Sequence, residues 1–137
     1  MSEPGLVLTP PTEPTSLDDG YLGLSEVMDL ELSAELVILS ACNTAAGDGR
    51  SNASGLSGLA RGFLNAGAGA VAVTHWSIPS EATLSLNVRW FSAKSTSPEL
   101  DWAAALREAV TAMIEVEGPA TFAHPANWGA FEVFGAM

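Results

Sequence analysis

The chain has 137 residues, of which 47% are hydrophobic and 15% charged, so it holds enough apolar mass for one domain with one buried core and does not suit a disordered chain. Its net charge is −11, and residues 1–49 carry nine Asp or Glu and no Lys or Arg, a distribution that repels phosphate backbones and disfavours nucleic-acid binding. The longest apolar run, around Ala66 to Val73, is far shorter than the roughly 20 residues needed to cross a bilayer. The amino terminus shows no basic region followed by an apolar one, so a soluble, cytoplasmic protein with no membrane partner is expected.

Residues 1–20 hold Pro4, Pro10, Pro11 and Pro14 among Thr, Ser and Asp, which predicts a loop or arm with one short strand at Gly5 to Thr9. Residues 21–137 then form the domain proper. Tyr21 to Leu32 predicts a short helix, with Ser25 as N-cap and apolar positions at Leu24, Val27, Met28 and Leu30. Leu36 to Ala41 is apolar except for Ser40, without the alternation of a half-exposed strand, and so predicts a strand covered on both faces in a parallel sheet.

That strand runs into Cys42, the single cysteine, which excludes an intrachain disulfide and leaves either a small buried hydrophobe or a reactive thiol. Loops at the carboxyl ends of parallel strands form ligand crevices, so Cys42 falls where α/β proteins place their chemistry. The stretch GDGRSNASG after it is not a nucleotide P-loop, because no Gly-Lys-Ser/Thr follows its glycines. Leu56 to Ala66 repeats apolar residues at three and four and predicts a helix capped by Gly67, and Ala70 to His75 predicts a second buried strand. Residues 36–75 thus make a β-loop-α-β unit with parallel strands and a right-handed crossover.

After Trp76, a helix is expected from Pro79 or Ser80, with Leu84, Val88 and Phe91 down one side. Another is expected from Ser97-Pro98-Glu99, with Ser97 as its N-cap, ending at Gly118-Pro119. Ala130 to Phe134 alternates as an edge strand with one face toward solvent.

Several of these segments, in this order, resemble the CHAT domain, a caspase-like cysteine peptidase family of clan CD. ELVILSACNTA resembles the family's strand and catalytic cysteine, and GLSGLARGFLNAGAGAVAVTHW its next helix and strand. AALREAV is similar to the penultimate helix, and HPANWGAFEVFG to the closing motif. The resemblance implies a three-layer αβα sandwich, an α/β fold with a mostly parallel sheet, whose amino-terminal strands are missing from this chain. It also implies a cysteine endopeptidase acting on peptide or protein substrates, with Cys42 as nucleophile and no cofactor.

A thiol needs a base or a positive dipole to become a thiolate. The loop Asn43, Thr44 and Ala45 is expected to aim backbone N–H groups at the oxyanion or substrate. In the family the base is a histidine in a His-Gly motif before the segment that resembles GLVLTP, so it should lie upstream of Met1. His75, at the end of the following strand, is either a surrogate base or a pocket and packing residue. His124 fits a hydrogen bond or cap, and the two histidines suggest no metal site.

Separase-like relatives use an acidic residue shortly after the tryptophan that Trp76 matches to bind a basic side chain. Here Ser77, Pro79 and Ser80 follow, so Glu81 or Asp48 would supply the negative charge in a substrate pocket with Trp76, unless both are simply solvated carboxylates. The alternative function is a truncated or degenerate module that catalyses nothing and binds partners. Helical-repeat partners or fused domains accompany the family. A central strand left at a sheet edge would also invite self-association.

Overall fold

The computed structural model describes residues 3–15, 18–40, 58–115 and 122–135. Two sheets form. The smaller pairs β1 (Gly5–Val7) antiparallel with β2 (Tyr21–Gly23). The larger has the order β3–β4–β5, with β3 (Leu36–Leu39) parallel to β4 (Ala70–Thr74), and β4 antiparallel to β5 (Phe131–Gly135). The sheet is therefore parallel where the β-α-β unit builds it and antiparallel where the closing strand completes it.

All five residues of β4 are buried, as expected of a continuous apolar strand with a neighbour on either side. The pleat sends Val71 and Val73 to one layer and Ala72 to the other. The first layer contains α1 (Leu24–Met28) and α2 (Gly58–Asn65), which bring Val27, Leu59, Ala60 and Phe63 onto Val71, Val73 and Leu39. The second contains α3 (Ser80–Thr96) and α4 (Trp102–Glu115), which bring Leu86, Trp90, Ala105, Ala109 and Met113 onto Ala72. Helices on both faces of the sheet make the expected three-layer α/β arrangement.

α2 ends as its sequence predicts. Gly67 has φ of +108°, the Gly67 N–H donates to the Leu64 carbonyl and the Ala68 N–H to the Phe63 carbonyl, the paired bonds of a Schellman stop. The positions at which this helix was expected to begin, Leu56 and Ser57, lie outside the described residues, as do Gly118 and Pro119.

Several local expectations are corrected. Tyr21–Gly23 is a strand rather than a helical turn, because β1 is present to pair with it. Ser25 is not the N-cap of α1. Gly23 holds that position, and its N–H donates to Glu26 Oε2 at 2.8 Å, while the Ser25 hydroxyl donates to Glu3 Oε1 at 2.7 Å.

On α3, Leu84, Val88 and Phe91 do not face the core. Ala82, Leu86 and Trp90, all 0% exposed, take that side, and the expected stripe points outward. α4 starts at Trp102 instead of Pro98, and Ser97 closes α3 through its N–H to the Ala93 carbonyl. The intervening turn is held by Lys94 Nζ, which donates to the Pro98 carbonyl at 2.8 Å and also to that of Leu100. Asp101 caps α4, its Oδ1 accepting from the Ala104 N–H at 2.6 Å.

β5 lies at the edge of its sheet, as expected, but neither of its faces is simply solvated. Phe131 and Val133 pack into the α3–α4 layer and Phe134 into the α1–α2 layer.

Candidate active site

The parallel pairing of β3 and β4 sets the carboxyl ends of both strands at one edge of the sheet. Leu39 is level with Val73, so both chains leave the sheet on the same side, one through Ser40 toward Cys42 and the other through Thr74 to His75 and Trp76. β5 arrives antiparallel and sets Glu132 opposite Val73 and Phe131 opposite Thr74.

Three segments meet around His75. Its backbone N–H donates to the Ala130 carbonyl at 3.0 Å, extending the ladder past the strand end. Its Nε2 lies 2.7 Å from Glu132 Oε2, both side chains being solvent-accessible, at 41% and 45%. The ring lies 6.5 Å from that of Trp76, whose indole N–H donates to the Ala126 carbonyl at 2.9 Å.

Ala126 belongs to the 3₁₀ turn Pro125–Asn127, which His124 caps by accepting from the Ala126 N–H through Nδ1 at 3.1 Å. HPANWGAFEVFG is thus a turn and a strand that together brace His75 and Trp76. Of the two histidines, His124 plays the capping part expected of it.

Glu81 is exposed in the first turn of α3, where the positive end of the helix dipole suits a carboxylate. Cys42, Asn43, Thr44, Ala45 and Asp48 lie outside the described residues. Sequence reasoning missed Glu132 as a partner of His75. The available signal was a lone charge in an otherwise apolar closing strand.

The CHAT domain profile matches residues 1–136. The chain belongs to the CHAT domain family. Two curated proteins are similar to it. Tetratricopeptide repeat protein 28 of Mus musculus is 36% identical over 115 residues, 84% of this chain and 4% of that protein. Tetratricopeptide repeat protein 28 of Homo sapiens is 32% identical over 120 residues, 88% of this chain and 5% of that protein. The chain therefore spans only about a twentieth of the length of these relatives.

The α/β layers and the parallel β3–α2–β4 unit agree with the caspase-like architecture of a CHAT domain. No helix among the described residues is long and apolar enough to cross a membrane.

Proposed function

We propose that this CHAT domain is the cysteine-endopeptidase module of a larger helical-repeat system, with Cys42 as the nucleophile. Family membership and the parallel register of β3 and β4, which sets Leu39, three residues before Cys42 in the sequence, level with Val73, two residues before His75, support this reading. A histidine base takes the proton of the Cys42 thiol, the resulting thiolate attacks the scissile carbonyl carbon, and the histidine gives that proton to the leaving amine as the C–N bond breaks. Water hydrolyses the resulting thioester and restores the thiol.

The base is the family's histidine of the His-Gly motif, expected upstream of Met1. His75, already bonded to Glu132, serves as wall of the pocket together with Trp76, and backbone N–H groups of Asn43, Thr44 and Ala45 take the oxyanion. The negative charge for a basic substrate side chain comes from Glu81 or Asp48. The helical repeats named in both relatives are the context in which the module recognises protein substrates.

Cys42 is the single cysteine of these 137 residues. A chain extended upstream through the family's His-Gly motif should react with iodoacetamide at Cys42 at least about tenfold faster than a free thiol at neutral pH. It should also cleave peptides in a manner abolished by Cys42→Ala. Proteolysis that survives Cys42→Ala rules the reading out.

One observation favours a second reading, a non-catalytic interaction module. Both histidines of this chain have structural partners, His75 in Glu132 and His124 in the turn it caps. Ordinary thiol reactivity together with binding of a helical-repeat protein would establish it.

A further inference from the structure

Main chain and ring of His75 are both tethered. The backbone N–H donates to the Ala130 carbonyl at 3.0 Å, and Nε2 lies 2.7 Å from Glu132 Oε2, which fixes the imidazole at the carboxyl end of β4. The second ring nitrogen, Nδ1, has no hydrogen-bond partner among the described residues. Solvent reaches the ring, whose side chain is 41% exposed. A carboxylate on one imidazole nitrogen and water at the other is the arrangement of a general base and the group that orients it. His124 differs, because its Nδ1 accepts from the Ala126 N–H and is occupied in capping a turn.

The strand register relates this histidine to the nucleophile. Leu39 of β3 is level with Val73 of β4, so Cys42 follows the level pair by three residues and His75 by two, on strands about 4.8 Å apart. Hydrolysis of the thioester is the step that consumes water, and it needs a base that solvent can reach.

We propose that His75 activates the water that hydrolyses the thioester, with Glu132 as its positioning residue. The inference rests on the cysteine-peptidase reading and adds a second histidine to it: the upstream histidine serves acylation and His75 serves deacylation. With Nε2 donating to the Glu132 carboxylate, Nδ1 carries the lone pair and takes a proton from water. The water oxygen bonds to the thioester carbonyl carbon, and the C–S bond breaks with its electron pair going to sulfur. The proton on Nδ1 then passes to the Cys42 thiolate. The products are the free thiol and the carboxylic acid of the substrate's amino-terminal fragment.

A lysine p-nitrophenyl ester, given to the upstream-extended chain, separates the two steps, because such an ester acylates readily and leaves deacylation to limit turnover. A burst of p-nitrophenolate reports acylation of Cys42, and the steady rate after it reports hydrolysis of the thioester. His75→Gln should slow the steady rate at least about tenfold more than it slows the burst, and Glu132→Gln should act in the same direction by about threefold. Hydroxylamine attacks thioesters without help from a base, and should restore the turnover of His75→Gln to within about threefold of the unaltered chain. Turnover that falls no further than the burst, or that hydroxylamine leaves low, overturns the inference and leaves the cysteine-peptidase reading in place. No burst in the unaltered chain, or a burst that survives Cys42→Ala, overturns both.

Discussion

The two layers that cover the central sheet are held by different means. On the α3–α4 side, aromatic mass does the packing: Trp90 is 0% exposed, makes edge contacts with Trp102 at 6.1 Å and Phe131 at 6.2 Å, and donates its indole N–H to the Trp102 carbonyl at 2.9 Å. On the α1–α2 side the buried side chains are mostly aliphatic, and close backbone approach matters more. Gly62 of α2 sits against Leu24 and Val27 of α1, Gly67 turns the chain with positive φ, and the Leu32 N–H donates to the Ala66 carbonyl at 2.7 Å. One layer depends on filled volume and the other on backbone conformation, so they should respond to different substitutions.

Trp90→Ala is the severest test of the volume side. It should cost about 3–5 kcal/mol in urea unfolding, since it leaves a large cavity and removes the donor to the Trp102 carbonyl. A loss below about 1 kcal/mol would mean that the helices collapse onto the gap, and the distinction between layers would fail. Gly67→Ala is the matching test of the backbone side. It deletes no packing atom, yet should cost about 2 kcal/mol because an L side chain is strained at that φ and faces the Leu32 carbonyl.

Asp101→Ala removes the cap of α4 and should cost about 1 kcal/mol, recovered largely by Asp101→Asn in the same unfolding measurement. Glu132→Gln alters a pair in which both side chains are more than a third exposed. Solvent screening limits its effect on stability to less than about 1 kcal/mol. A much larger loss would show that the carboxyl end of β4 carries structural weight that its exposure does not suggest.

The same contrast explains what could be read from the sequence. β3, α2 and β4 were legible because their signals are local: an unbroken apolar run, a repeat at three and four, and a glycine where a helix must stop. The edge position of β5 was legible from its alternation. β2 was not, since Tyr21–Gly23 is a strand only because β1 lies beside it, and a capping signal in Ser25 and Glu26 competed for the same residues.

α3 has apolar side chains on opposite sides, so periodicity could not decide between Leu84–Val88–Phe91 and Ala82–Leu86–Trp90. The packing of Trp90 among Trp102 and Phe131 decided it. The start of α4 was misplaced because Lys94 secures a turn over the Ser97-Pro98 signal. At the carboxyl end of β4, His75 and Trp76 were named from the sequence, while Glu132, which lies 57 residues beyond His75, required the antiparallel register of β5.

That register has a consequence for the order in which the molecule can be assembled. β4 is buried along its whole length, and among the described residues one of its two edges is paired by β5, at residues 131–135. During synthesis, a growing chain can pair β3 with β4 soon after Thr74 emerges, yet it must carry β4 with a bare edge until the closing strand is made. Among the described strands the last in sequence thus completes the most deeply buried one, so β4 gains its second neighbour only after α3 and α4 have been made.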